Sequence, residues 1–193
     1  MVRPMPAIAE TKDRMKTVAD FMALGEGPPF AQLIQGSIVM EPSPFRSHQR
    51  VIQRIYQLIQ NHLDRNPCGE AYLAPFDVHF GGTDVLCPDL SFFSNERCAL
   101  LSERGAEGAP DLVIEVLSPA TARRDRKVKR EIYTRHGVRE LWLVHPDLET
   151  IEVFDLVKQP DQPVAVLENG THPSITTDIL PGLLAPLADI FRA

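Results

Sequence analysis

One stretch constrains this chain more than any other: PDLVIEVLSP, from Pro110 to Pro119. Leu112, Val113, Ile114, Val116 and Leu117 place apolar side chains at both parities of an extended chain, the pattern of a strand covered on both faces of a sheet. Glu115 lies inside that run and shares parity with Asp111 and Val113. An ionised carboxylate in such surroundings is expensive unless a cation or several hydrogen bonds meet it. A partner for Glu115 therefore has to come from elsewhere in the chain. Downstream, six of the eight residues from Arg123 to Arg130 are lysine or arginine. Upstream, a second Pro-Asp, Pro88-Asp89, opens another apolar run, Leu90-Ser91-Phe92-Phe93.

With 193 residues, of which 44% are hydrophobic and 24% charged, the chain suits one soluble domain with a sizeable core and is cramped for two. Residues 1–10 carry no periodic signal and read as a flexible tail, leaving 11–193 as a single domain. Met15, Val18, Ala19 and Met22 fall at helical spacing, so a helix is expected over 11–24. A hairpin follows, Ala31–Ile34 and Ser37–Met40, turning at Gln35-Gly36. Ser47 is the expected N-cap of a helix to about Leu63, with Val51, Ile55, Leu58, Ile59 and His62 on its buried stripe. AYLAPFDVHF and DVLCPDLSFF read as a strand and its return, with Pro88 marking an edge, a bulge or a break. Residues 94–109 read as an irregular connection. Ser118-Pro119 and Thr121 lead into a helix to about His136, closed by Gly137. Strands at ELWLVHP, TIEVFDLV and VAVLENG and a short amphipathic piece complete the chain. The fold class expected is α/β (α+β): a mixed β-sheet core flanked by helices, with Leu112–Leu117 central.

No apolar run approaches the roughly 20 residues of a membrane span, and the first 16 residues lack a signal-peptide core. Three cysteines without a CxxC spacing indicate neither a disulfide framework nor a zinc knuckle, and a cytoplasmic setting is expected. A formal charge of −6 argues against a constitutive high-affinity coat for nucleic acid. It leaves room for a basic face beside a catalytic site, and a solvated helix face is the plainer reading of the charge run.

Two strand-borne carboxylates and a nearby lysine are the parts of a metal-dependent phosphodiesterase. Magnesium takes oxygen ligands and keeps several waters, so Asp89, Glu115 and the main-chain carbonyl of Val116 suffice. Lys129, Ile132, Tyr133 and His136 share a helix face, which aims Lys129 at the sheet, where it can orient a water or meet developing charge. Asp125, four residues earlier, can hold it. Each has a structural alternative: a salt bridge for Glu115, a turn aspartate for Asp89, a lysine bridged to Asp125 for Lys129.

These residues also carry a resemblance. PDLSFF, PDLVIEVLSP and RRDRKVKREIYTRHGVRELWLVHP resemble the PD-(D/E)XK restriction-endonuclease-like superfamily, and more closely its bacterial Uma-type endonuclease family. The resemblance extends from Leu33-Ile34-Gln35-Gly36 through His48 to Leu180–Leu183. It implies an endonuclease that uses Mg2+ or Mn2+ on DNA, with Asp89 and Glu115 as metal ligands. Leu117 stands where most of the superfamily has the lysine of ExK, and Lys129 on the following helix matches the displaced lysine. His48, Asp125 and Tyr133 match recurrent positions, and Arg123, Arg124, Arg126 and Lys127 are the phosphate-contact candidates. His48 has a plainer alternative as a helix-capping or buried histidine. A homodimer or higher homo-oligomer is the implied assembly. Family members carry Gly-Glu in the first hairpin where this chain has Gly36-Ser37, and Glu41 is the candidate replacement. A catalytically inactive binding or assembly module and a hydrolase of RNA or another phosphoester are the alternatives.

Overall fold

A computed structural model of the chain describes residues 14–23, 31–40, 43–118 and 122–192. The tail 1–10, the first residues of the expected first helix and Glu41 lie outside the described residues. Helix α1 spans Val18–Met22, capped by Thr17 and with no buried residue, so it is shorter than the apolar spacing suggests. The hairpin β1 (Ala31–Ile34) and β2 (Ser37–Met40) turns at Gln35 and Gly36 as expected. Both turn residues have positive φ, 48° and 74°, as a two-residue hairpin turn requires.

Helix α2, Arg46–Leu63, starts one residue before the expected cap: Phe45 is the N-cap, without a side-chain hydrogen bond, and Ser47 lies in the first turn. Its buried side includes Val51, Ile55, Ile59 and His62 as expected, adds His48, Ile52 and Leu63, and leaves Leu58 half-buried. The two long strands expected next are four. They are β3 (Gly69–Leu73), β4 (Val78–Gly81), β5 (Asp84–Leu86) and β6 (Leu90–Ser94), and β5 and β6 part at Cys87-Pro88 into different sheets. The connection 94–109 holds a 3-10 turn at Cys98–Leu100 and a small hairpin, β7 (Leu101–Ser102) and β8 (Gly105–Ala106). Strand β9 is Leu112–Val116. The helical segment after it comes in three pieces: α3 (Ala122–Arg124), a π-helical turn (Asp125–Lys129) and α4 (Arg130–His136), ended by Gly137 at φ 84°. Then follow β10 (Glu140–His145), β11 (Thr150–Asp155), β12 (Ala165–Glu168), β13 (Ser174–Ile175), β14 (Ala185–Pro186) and α5 (Leu187–Phe191).

Two six-stranded sheets result, ordered β2-β1-β5-β4-β8-β7 and β12-β11-β10-β9-β6-β3, with β13 and β14 paired apart. In the second sheet β9 is interior, parallel to β10 and antiparallel to β6. The helical segment is the crossover that a parallel β9–β10 neighbour pair requires. Alternate residues of β9 face two different apolar layers, which explains its continuous hydrophobicity. Leu112, Ile114 and Val116 pack toward Val51, Ile55 and Ile59 of α2 and Ile190 of α5. Val113 and Leu117 pack with Ile132 and Tyr133 of α4 and with Val78, Phe80 and Leu86 of the first sheet. Glu115 shares parity with the second set, and that places it under the helical crossover.

Candidate active site at one end of a strand pair

In the β6–β9 pair Leu90 faces Ile114 and Phe92 faces Leu112. Continued past β6, this register sets Asp89 opposite Glu115 and Pro88 opposite Val116. The Asp89 carbonyl accepts from Ala74 on the β3 side, and Leu117 N–H donates to Val144 on the β10 side. Residues alternate along a strand, so the main-chain groups of Val116 point at Pro88. Proline has no N–H, so none comes from there to the Val116 carbonyl. The Val116 N–H donates instead to Asp89 Oδ2 at 2.7 Å.

His48, in the first turn of α2, brings Nε2 to 3.1 Å from the same Asp89 oxygen, while its buried Nδ1 has no hydrogen-bond partner. Across the pair, Glu115 Oε1 accepts from Lys129 Nζ at 3.1 Å and from the Tyr133 hydroxyl at 2.5 Å. Lys129 Nζ also lies 3.1 Å from Asp125 Oδ1. The Glu115, Lys129 and Asp125 side chains are each no more than 4% exposed, whereas that of Asp89 is 22% exposed. The π turn carries Asp125 and Lys129 inward together, and α4 brings Tyr133.

Burial is the main cause that lifts the Glu115 carboxyl, to about 8. The Lys129 ammonium opposes it, while the Asp125 and Asp89 charges reinforce it. Tyr133 is held well above its ordinary value by burial and by the Glu115 charge, so it remains a hydroxyl donor. Cys87, one residue before Pro88, accepts from Phe76 N–H at 3.3 Å, and burial raises its thiol to about 12. A thiol held neutral there is neither nucleophile nor metal ligand.

Both hydrogen bonds to Glu115 end on Oε1 and both to Asp89 end on Oδ2. Among the described residues Oε2 and Oδ1 are thus left for a further partner. Two opposed carboxylates and a carbonyl that gets no ladder bond from Pro88 match the all-oxygen demand of Mg2+ or Mn2+, which fill other positions with water or substrate. Among the described residues no group of three or more His, Cys, Asp or Glu gathers into a metal cluster, so a closed zinc-type cage is not on offer.

The structure thus brings together Asp89, Glu115, Lys129, Val116, His48, Asp125 and Tyr133. The basic run disperses. Arg126 is locked in a two-pronged bond to Glu152 at 2.7 and 2.8 Å, which takes its guanidinium away from a phosphate. Arg123 and Lys127 are exposed, and Arg124 is half-buried. Ser37 begins β2 and is exposed. Leu117 packs in the apolar layer, where the ExK lysine would stand. Sequence reasoning missed the Val116 N–H as the anchor of Asp89 and the effect of Pro88 on the carbonyl across from it. The repeated Pro-Asp-Leu at 88–90 and 110–112 was the available signal.

A family model described as "Uma2: Putative restriction endonuclease" matches residues 18–188. Among solved structures, one from Anabaena variabilis ATCC 29413, described as "a putative nuclease belonging to DUF820", superimposes with a TM-score of 0.75 at 24% identity. That match covers 91% of this chain and 97% of the other. No curated protein matches the chain.

Proposed function

On the premise that this chain belongs to the Uma2 family, we propose that it is an endonuclease that hydrolyses phosphodiester bonds in DNA with the help of Mg2+ or Mn2+. The observation that carries this reading is the meeting of Asp89, Glu115 and Lys129, from three separate elements, around one partly exposed point. Asp89, Glu115 and the Val116 carbonyl would hold the cation. When bound, it supplies Lewis-acid stabilisation of the developing charge and a more acidic water. His48 and the Val116 N–H fix one Asp89 oxygen and leave the other for the cation. Tyr133 and Lys129 fix Glu115 in the same way, and Lys129 stays charged between two carboxylates. Its ammonium is the group placed to orient the attacking water and meet negative charge on the phosphoryl oxygens. Arg123 and Lys127, exposed at the start of the crossover, are the remaining candidates to hold the strand's phosphates.

A non-catalytic binding module is the second reading, favoured by Ser37 where relatives carry glutamate and by a Lys129 that already neutralises Glu115. Calorimetric titration with Mn2+ and Mg2+ separates the two. The nuclease reading expects wild type to bind and Glu115→Ala not to, and equal behaviour of the two proteins rejects it. Incubation of the metal-loaded protein with single-stranded DNA, duplex DNA and RNA then tests the substrate: cleavage of RNA alone would reassign it.

A further inference from the structure

The same tripeptide occupies both ends of the β6–β9 pair, and the two ends differ in what becomes of the carbonyl across from the proline. At the far end Pro110 faces Ser94 by the shared register. The Asp111 carboxylate takes the Ser94 N–H at 2.8 Å, as Asp89 takes that of Val116. Pro110 has no N–H for the Ser94 carbonyl, but the Arg97 N–H recovers that carbonyl at 2.8 Å, so that end is closed. At the near end Pro88 likewise withholds a donor from Val116, whose carbonyl lies between the two carboxylates of the site.

We propose that Pro88 is a positioning residue for the cation site: by lacking an N–H where β6 meets Val116, it keeps the Val116 carbonyl open as an oxygen ligand. The proposal rests on the reading of Asp89 and Glu115 as metal-binding carboxylates. Any other residue at 88 would present an N–H to this carbonyl and continue the ladder by one bond. That bond stabilises the strand pair while it competes with the cation for the same lone pairs. A proline kept only to part β5 from β6 predicts the opposite pattern, because its loss would loosen the strand pair as well as the site.

The test is Mn2+ affinity by calorimetry for Pro88→Ala and for the control Pro110→Ala, with the urea midpoint of each metal-free protein. The expected result is about a tenfold or greater loss of affinity in Pro88→Ala with an unchanged or raised midpoint. Its new residue-88 amide should be protected from hydrogen exchange, and Pro110→Ala should bind within about twofold of wild type. Wild-type affinity in Pro88→Ala, or weaker binding together with a lowered midpoint, overturns the proposal. A second measurement needs no variant. In carbonyl-labelled wild type, Mg2+ should shift the 13C resonance of Val116 and leave that of Ser94 in place, and a Val116 resonance that stays put in the metal-bound protein also overturns it. Failure of wild type to bind either ion would instead defeat the nuclease reading on which the proposal stands.

Discussion

Asp89 and Asp111 each follow a proline, precede a leucine and accept a main-chain N–H from the facing strand, yet their surroundings diverge. Asp111 is 2% exposed, and both its oxygens are taken: Oδ2 by Ser94, Oδ1 by Arg97 Nε and Arg139 Nη1 at 3.3 Å each. Asp89 has one oxygen held, is 22% exposed at its side chain, and faces Glu115, a residue of like charge. Carboxylates directly opposed on an antiparallel pair repel. One end of the ladder therefore spends two arginines on closing itself, and the other is left acidic and open with a single lysine. A local motif specifies the hydrogen bond that ends a strand pair, whereas the cations that reach it decide whether the end is a brace or a site.

The sharpest way to break this comparison is to remove each charge. Asp89→Asn should lower DNA cleavage by roughly 10^3-fold or more through loss of a metal ligand, while Asp111→Asn keeps wild-type activity per folded molecule. A gel assay with Mg2+ and Mn2+ decides, and equal losses would erase the distinction. Stability should rank the other way. Asp111→Ala strands a buried N–H and two guanidinium groups, one of them half exposed, and should cost about 3 kcal/mol in urea unfolding. Asp89→Ala should cost about 1 kcal/mol.

Lys129→Gln retains hydrogen bonding without the charge, so cleavage should fall about 10^2-fold while Mn2+ affinity persists. Full activity in single-turnover kinetics would make Lys129 structural. The smallest effect is in pH. Glu115 is raised from 4.5 to about 8, so the folded metal-free protein keeps a proton that the unfolded chain has already released. That stabilisation is complete below pH 4.5 and disappears as pH rises through 8, so the contribution of Glu115 to the melting temperature should decline from pH 5 to 8. Glu115→Gln should flatten the slope, and Asp89→Asn should reduce it by removing one of the charges that raise the carboxyl. Asp111→Asn should not, and a slope unchanged in Glu115→Gln would place its origin elsewhere.

Much of this was legible beforehand, for identifiable reasons. The hairpin at Gln35-Gly36, the crossover ended by Gly137 and the two-faced β9 follow from turn chemistry and apolar spacing, which are local. Lys129 was legible because helical spacing puts it on the face of Ile132 and Tyr133, and Asp125 because it precedes Lys129 by four residues. The arginine run misled in part: nothing within residues 123–130 says that Glu152, on β11, would bind Arg126. Nor does the sequence say that DVLCPDLSFF divides between two sheets, since a break at Pro88 leaves the direction of each half open.

By itself the sequence determined that a carboxylate would be buried in an interior strand and that a lysine would be aimed toward it, because side-chain parity and helical pitch are properties of short segments. It also determined that both strand ends would stop at proline, which has no N–H in any fold. Only the tertiary structure decided which of the two Pro-Asp ends received the arginines and which received His48, Glu115 and Lys129. That choice depends on strand register and on where helices distant in sequence come to lie, and carboxylates identical in the chain become different chemical groups when their neighbours differ.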